Sequence, residues 1–246
     1  LISGNGEITS TRRILPLTAL VNTMAFDTSQ EMIEILLHQC IDVMAQSIVE
    51  NQTLPLDMLD LISTIFSAQI PRDQIYKLIS EKVNSAISSG SYPHATAGLL
   101  VLRVLFVDAP ECAHHDAEKI ASLIQTALSS QDPFLVQAAA SVIEIFDDTF
   151  KSINIYSPDL LKSLFPYTIH ESVEVRQHCL RAALVLSEKL DSEIPNLFDA
   201  IWTLFKQSSP DDITAFFTLI ACSIKCTADF NDDNVEVLMQ LIDEVL

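Results

Sequence analysis

The chain has 246 residues, of which 49% are hydrophobic, and its 33 acidic and 14 basic residues give a formal net charge of −19. Glycine occurs only 4 times, which argues against all-β folds and Gly-rich nucleotide-binding folds, because both need glycine at turns with positive φ. The acidic charge repels phosphate backbones and anionic lipid, so we expect no direct nucleic-acid partner and no membrane insertion.

The strongest structural signal in the sequence is a regular interval between the residues that open apolar runs, most of which are prolines. Proline suits the first turn of a helix, where its missing N–H has no intrahelical partner to lose. A fixed period of about forty residues, with two helices in each unit, is typical of a stacked helical array. The residues that open successive apolar runs lie 38 to 40 positions apart and are Pro16, Pro55, Pro93, Pro133, Ser172 and Pro210.

Each interval contains two apolar stripes at spacings of i, i+3, i+4 and i+7, which place the apolar residues on one face of a helix. No run alternates convincingly as a β-strand would. We therefore predict an all-α fold, an α-solenoid of about six helix pairs that forms a single domain over residues 1–246 and is a segment of a longer protein. The first helices of the pairs include 33–48, 75–87, 120–128 and 194–205, and the second helices include 58–66, 135–146 and 213–224.

Two segments contain a sequence motif in addition to the forty-residue period. Residues 132–140 (DPFLVQAAA) and 171–183 (ESVEVRQHCLRAA) begin with an acidic or proline turn and continue into small residues. Both resemble the second-helix signature of HEAT repeats: Val175 and Arg176 stand where that family has Val-Arg, whereas Gln137 replaces the arginine in the earlier segment. The other intervals match in length and periodicity only. The resemblance implies a right-handed stack in which the second helices line a concave surface.

Among HEAT proteins, the strongly acidic and weakly regular ones look most like importin-β-type nuclear transport receptors. Those receptors bind basic segments on the concave face and Phe-Gly repeats on the convex face, so the resemblance implies a cytoplasmic protein that also shuttles to the nucleus. The Trp-x-x-x-Asn ladder of importin-α-type armadillo proteins is missing, because Trp202, the only tryptophan, is followed four residues later by Lys206. The alternative is a HEAT-repeat adaptor or scaffold of a vesicle-coat, phosphatase, chromosome or microtubule complex.

The cysteine and histidine residues give little support for a metal site or for a catalytic Cys–His pair. The densest group of metal-ligand types is 112–116 (CAHHD), but no second half-site with matching spacing follows, so we expect a loop that ends in a capped helix. His178 and Cys179 point about 100° apart on a helix, which predicts a core cysteine beside an exposed histidine. We interpret the odd set of thiols as buried and free in a reducing compartment; they are Cys40, Cys112, Cys179, Cys222 and Cys226.

Motifs for phosphate loops, dinucleotide binding, nucleophile elbows and zinc proteases are all missing from the sequence. We therefore expect a non-catalytic protein with no cofactor and no metal. An enzyme with a helical fold is the alternative from a different functional class, and the scarcity of glycine argues against it.

Acidic residues repeat on the non-apolar faces of the second helices. On the helix after Pro133, for instance, Gln137, Ser141 and Glu144 lie away from the apolar stripe. If these helices line a concavity, the carboxylates face a common groove that suits a lysine- and arginine-rich protein segment. The alternative is a solvated helix face that keeps an apolar chain soluble. The candidate contacts are Asp57, Asp60, Glu144, Asp148, Asp211 and Asp212.

Overall fold

A computed structural model describes residues 30–51, 58–66, 72–112, 117–146, 158–168 and 170–189, together with residues 236 and 239. Within these ranges the secondary structure is helical and contains no strand. The predicted all-α class is therefore confirmed for the part of the chain that the structure describes. None of the helices in that part combines the length and the apolar character needed to cross a membrane.

The described helices fall into four consecutive pairs, with a short 3-10 helix, Phe165–Tyr167, inside the last pair. The second helices of the last three pairs begin at or next to Pro93, Pro133 and Ser172. The helices predicted around 194–205 and 213–224 lie outside the described residues, so the total of about six pairs stays a prediction. The pairs are α1 (Gln30–Asn51) with α2 (Met58–Phe66), α3 (Arg72–Ser88) with α4 (Tyr92–Asp108), α5 (Ala117–Leu128) with α6 (Pro133–Glu144), and α7 (Pro158–Leu164) with α8 (Val173–Lys189).

Successive pairs pack against one another in chain order. The second helices form one row, in which α2 contacts α4, α4 contacts α6 and α6 contacts α8. The first helices form another row, in which α3 contacts α5 and α5 contacts α7, while α1 packs against both α2 and α4. Each pair therefore buries its apolar stripes against its own partner and against the next pair.

Two hydrogen bonds between neighbouring pairs join residues that are 38 positions apart. Arg103 Nε donates to the carbonyl oxygen of Ser141 at 3.2 Å, across 38 positions of the chain. Gln125 Nε2 donates to Ser163 Oγ at 3.0 Å, also across 38 positions. The first bond links the row of second helices and the second links the row of first helices. The separation in these two bonds is close to the interval between the prolines.

The two central second helices are enclosed on nearly every side. All residues of α4 from 95 to 106 are buried except Arg103, and all residues of α6 from 135 to 143 are buried. Gly98 explains how α4 fits so closely on α3, because a Cβ atom at Gly98 would lie 2.4 Å from Val83 Cγ2. This glycine sits inside a helix despite its conformational cost, and the close approach of the two helices requires it.

Polar turns end and begin the helices as the sequence indicates. Gly90 ends α3 with a φ of 73°, and its N–H donates to Ile87 O at 3.0 Å while Ser91 N–H donates to Ala86 O at 2.8 Å. This pair of bonds is the Schellman arrangement, which satisfies the last carbonyl groups of a helix.

The residues that open the second helices behave as predicted where the structure describes them. Pro93 and Pro133 lie in the first turns of α4 and α6. The Asp132 carboxylate accepts a hydrogen bond of 2.9 Å from the N–H three residues later, which caps α6. Ser172 precedes α8, and its hydroxyl accepts a longer bond of 3.4 Å in the same way. The remaining residues of the series lie outside the described residues: Pro16, Pro55 and Pro210.

The segments 132–140 and 171–183 use their matching positions differently. Arg176 NH1 donates to the carbonyl oxygens of His170 at 2.7 Å and Glu171 at 3.1 Å, so this side chain holds the turn before α8. Gln137 occupies the corresponding position of α6 and is only 5% exposed. The substitution of glutamine for arginine therefore accompanies the enclosure of α6 between α4 and α8.

Candidate functional site

The structure describes two of the six predicted contact residues. Asp60 lies in the first turn of α2 and is exposed, as a groove contact requires. Glu144 is the last residue of α6, and its side chain is only 15% exposed. The other four candidates lie outside the described residues; they are Asp57, Asp148, Asp211 and Asp212.

The Glu144 carboxylate is held by basic side chains of the next second helix. Its Oε1 atom lies 2.6 Å from His178 Nδ1, a hydrogen-bond distance, and its Oε2 atom lies 4.0 Å from Arg181 NH1. His178 is 21% exposed and Arg181 is 62% exposed. The expectation of an exposed His178 is therefore wrong, because its ring turns toward α6 and binds a carboxylate there. Glu144 therefore links α6 to α8, and its side chain is mostly buried.

The predicted polar stripe on α6 is wrong for its two central members. Gln137 is 5% exposed and Ser141 is 2% exposed. The Ser141 hydroxyl donates to Ala138 O within the helix at 2.7 Å, and its carbonyl oxygen accepts from Arg103. Because α6 contacts α4, α5 and α8 and is buried from 135 to 143, these polar groups lie in the interior between the helices.

An acidic surface with few cations is instead found on α1, which is a first helix. The helix carries four carboxylates, Glu31, Glu34, Asp42 and Glu50, and neither lysine nor arginine. Three of them are exposed and Glu34 is half-buried. Because basic residues accompany the acidic ones on α3, α5 and α8, α1 is the most one-sidedly charged of the described helices.

Exposed apolar side chains share this face with the acids. Positions 31, 35, 42 and 49 lie within about 40° of one another around a helix. Ile35 is 50% exposed and Val49 is 58% exposed, and they alternate along the stripe with Glu31 and Asp42. We call this surface, formed by Glu31, Ile35, Asp42 and Val49, the α1 stripe. A surface that mixes carboxylates with apolar anchors suits a basic segment better than a purely charged one does.

A serine, a histidine and an aspartate come together where α1 meets the start of α4. Ser91 Oγ lies 2.8 Å from His94 Nδ1, and His94 Nε2 lies 3.7 Å from Asp42 Oδ1. These are the residue types of a hydrolytic triad, but 3.7 Å exceeds a hydrogen-bond distance. The His94 side chain is 48% exposed and the Asp42 side chain is 52% exposed, so water competes with their interaction. The serine–histidine contact is the local one expected at the start of a helix, and the geometry gives no activated nucleophile.

The thiols of the described residues are buried, free and unreactive in character. Burial raises the pKa of Cys40 and of Cys179 to about 12, and burial followed by the charges of Asp73 and Glu111 raises the pKa of Cys112 to about 11. A thiol that stays protonated is a poor nucleophile and a poor metal ligand. The interpretation of these three as buried free thiols is confirmed. Cys222 and Cys226 lie outside the described residues.

A metal site is not found among the described residues, where no three His, Cys, Asp or Glu side chains are grouped suitably. Of the group at 112–116, only Cys112 is described; it is buried, and its thiol lies 3.8 Å from Asp73 Oδ1. The absence of a metal site around residues 113–116 therefore stays a prediction.

Comparison of the chain with protein-family models, with curated proteins and with solved structures gives no match.

Proposed function

We propose that this chain is a non-catalytic scaffold, an α-solenoid of HEAT-like helix pairs that binds lysine- and arginine-rich protein segments. The main support is the period of the fold: helix pairs that follow one another in sequence contact one another in two rows, and side chains 38 positions apart hydrogen-bond between them. Stacks of this kind present extended surfaces, which is how repeat proteins bind other chains.

The negative charge of the chain favours a basic protein segment as the partner. A net charge of −19 speeds the approach of a basic segment and slows that of nucleic acid. Within the described residues, the α1 stripe is the surface that best combines this charge with accessible apolar side chains, and Asp60 adds one exposed carboxylate on the second helix of the same pair. We therefore assign the first contact with a basic segment to the α1–α2 pair.

The expected affinity comes from several modest contributions. An exposed ion pair contributes roughly 0–1 kcal/mol, so a few of them give a weak complex by themselves. Ile35 and Val49 supply the apolar contact that such a complex needs, because burying exposed aliphatic side chains contributes roughly 25 cal/mol per Å² before the entropic cost of association is subtracted. The fitting partner is a segment in which lysine or arginine alternates with apolar residues at helical spacing.

The test is the binding of a fluorescent lysine- and arginine-rich peptide, followed by anisotropy at increasing salt concentration. The Glu31→Gln, Asp42→Asn double variant should weaken binding and flatten its salt dependence. The matched control, Glu118→Gln with Asp159→Asn, removes the same charge from exposed positions on α5 and α7 and should have a smaller effect. Equal effects of the two double variants would show that net charge alone attracts the peptide, without a defined surface.

The variant Ile35→Ala separates apolar recognition of the peptide from simple electrostatic attraction. It leaves the charge unchanged, so it should lower peptide affinity by roughly twofold to tenfold and leave the salt dependence as it is. Asp60→Asn tests the surface of the second helix in the same assay.

Within the scaffold class, the acidic charge and the weak regularity of the repeats favour an importin-β-type transport receptor over the adaptors of vesicle-coat, phosphatase, chromosome or microtubule complexes. Such a receptor operates between cytoplasm and nucleus. Affinity capture from a cell extract with and without GTP-loaded Ran distinguishes the two, because transport receptors change partners with Ran. A partner set that is indifferent to Ran would favour an adaptor.

A further inference from the structure

Asp42, one of the two carboxylates of the α1 stripe, lies beside a histidine of the next helix pair. The His94 Nε2 atom is 3.7 Å from Asp42 Oδ1, which is within the distance of an ion pair once the ring is protonated. About half of each side chain is exposed. The Asp42 carboxylate is therefore accessible both to a binding partner and to a cation that this chain itself provides.

The position of the His94 ring suits it to act on Asp42. Its Nδ1 atom lies 2.8 Å from Ser91 Oγ, so one ring nitrogen is held by the turn before α4 while the other approaches Asp42. Both nitrogens of a protonated ring carry a hydrogen, and the charged ring can then contact the hydroxyl and the carboxylate together. Histidine is the side chain that ordinarily changes its charge between about pH 5 and 8. Asp42 therefore gains a cation when the solution becomes mildly acidic.

The other charged groups that act in this region come from α1 and α3. His38 lies one turn before Asp42 on α1. Burial, followed by the charge of Lys82, lowers the pKa of His38, against the opposing charges of Asp42 and Glu34. Burial also lowers the pKa of the Lys82 ammonium group on α3, and the charge of Asp42 opposes this. His38 is thus harder to protonate than an ordinary histidine, so His94 is the better candidate for a change of charge beside Asp42.

We infer that protonation of His94 gates the α1 stripe, because the charged ring pairs with Asp42 and displaces the lysine or arginine of a bound basic segment. The inference rests on the proposed function, since it concerns the same surface and the same partner. A neutral His94 leaves the Asp42 carboxylate to the partner. A protonated His94 neutralises that carboxylate and repels the incoming cation, so the stripe releases a basic segment in acid.

The test is the anisotropy titration of the whole chain at about pH 7.5 and about pH 5.5, which bracket the ordinary titration of histidine. The peptide carries lysine and arginine as its only ionisable side chains, so its side-chain charge is the same at both values. Its affinity should fall by about twofold to fivefold at the lower pH, the effect of one exposed ion pair. An affinity that is unchanged or higher at the lower pH would overturn the inference.

Two histidine variants show which ring is responsible. His94→Gln keeps a polar side chain that cannot be protonated, and it should reduce the change between the two pH values to less than about 1.5-fold. His170→Gln removes a histidine from the turn before α8 and should keep the full pH dependence. Equal pH dependence in the two variants would show a general loss of negative charge and would overturn the assignment to His94. Circular dichroism melts at both pH values confirm that the variants are folded.

Proton NMR of the histidine rings tests the coupling without any peptide. The signals of His94 are those that disappear in His94→Gln, and their shifts report the protonated fraction of the ring. That fraction should be smaller in Asp42→Asn at about pH 6.5, because the carboxylate that favours the charged ring is gone. Identical titrations of His94 with and without Asp42 would overturn the inference.

The outcomes separate the gating from the proposed function on which it rests. Failure of the peptide to bind at either pH would contradict the proposed function and the gating together. Peptide binding whose pH dependence survives in His94→Gln would overturn the gating alone. Binding that weakens in acid only while His94 and Asp42 are both present supports the inference.

Discussion

The rings of Phe106 and Phe146 pack against each other with centroids 5.9 Å apart and planes tilted by 39°, and the two residues are forty positions apart in the chain. Phe66 lies forty positions before Phe106, and all three are fully buried. Phe66 is the last residue of α2, Phe106 lies two residues before the end of α4, and Phe146 lies two residues after the end of α6. A buried phenylalanine therefore recurs every forty residues near the ends of α2, α4 and α6.

Truncation of Phe106, the central one of the three rings, should destabilise the protein. Phe106→Ala should lower the free energy of unfolding by about 3–5 kcal/mol, because it removes a buried aromatic ring and leaves a cavity between two repeats. The neighbouring Val107→Ala is the control, since Val107 is 58% exposed, and its effect should stay within about 0.5 kcal/mol. Urea unfolding followed by far-UV circular dichroism measures both. A loss below about 1 kcal/mol for Phe106→Ala would contradict the packing.

Gly98 should resist replacement by the best helix former. In an ordinary helix, Gly→Ala stabilises by about 1 kcal/mol. Here the new Cβ would lie 2.4 Å from Val83 Cγ2, so Gly98→Ala should destabilise the protein by about 1–3 kcal/mol through overpacking. The measurement is the midpoint of urea unfolding.

A second substitution identifies the cause of that effect. Val83→Ala removes the methyl group that the new Cβ would meet, so Gly98→Ala should cost less, or even stabilise, in the Val83→Ala background. Purely additive effects of the two changes would show that Gly98 is needed for a reason other than contact with Val83.

Much of this architecture follows from the sequence because short-range patterns determine it. The apolar stripes fix the helices, Gly90 and Asp132 fix helix ends through local hydrogen bonds, and the prolines fix the period. In contrast, the burial of Gln137 and Ser141 depends on how many neighbours α6 has, and no local pattern records this. The forty-residue spacing of the buried phenylalanines was a readable signal, and it would have identified the inner side of the second helices.

The candidate site was less predictable for the same physical reason. His178 approaches Glu144 across 34 positions, and the approach of His94 to Asp42 needs α1 beside the start of α4. Such pairings depend on the angle between repeats. The acidic residues of α1 are visible in the sequence, but no local pattern distinguishes them from the acidic residues that recur on the second helices.

The N-terminal cap of α6 should make a measurable contribution. Asp132→Ala removes the carboxylate that accepts from the Leu135 N–H at 2.9 Å, and the expected loss is about 0.5–2 kcal/mol of unfolding free energy. Asp132→Ser keeps an acceptor at the same place and should recover most of it. Equal losses for alanine and serine in thermal unfolding would mean that the hydrogen bond has no role in stability.

Buried thiols should make the protein sensitive to alkali. The pKa values of Cys40 and Cys179 are raised by burial from 9.0 to about 12, so each thiol keeps its proton in the folded state after the unfolded state has lost it. Their contribution is therefore complete below about pH 9 and is lost as the pH rises toward 12. In urea unfolding between pH 9 and 10.5, the decline in stability should be shallower in Cys40→Ala by up to about 1.4 kcal/mol per pH unit. An exposed change, Ser85→Ala, should leave the slope unaltered, and rapid labelling of native thiols at pH 8 would contradict the burial.

The contact between Glu144 and His178 should stabilise the array more than it serves binding. Both side chains are largely buried, and their atoms approach to 2.6 Å between α6 and α8. A double-mutant cycle with Glu144→Gln and His178→Gln should give a coupling free energy of about 0.5–3 kcal/mol in urea unfolding. The cycle that pairs Glu144→Gln with Arg181→Gln should give about 0–1 kcal/mol, because Arg181 is 62% exposed and lies 4.0 Å away.

In the peptide assay, Glu144→Gln should change affinity by less than about twofold, since a carboxylate already bound to His178 gains little from an outside cation. A coupling of zero, together with a tenfold loss of peptide affinity, would mean that Glu144 faces the partner, as its place in the sequence pattern first indicated.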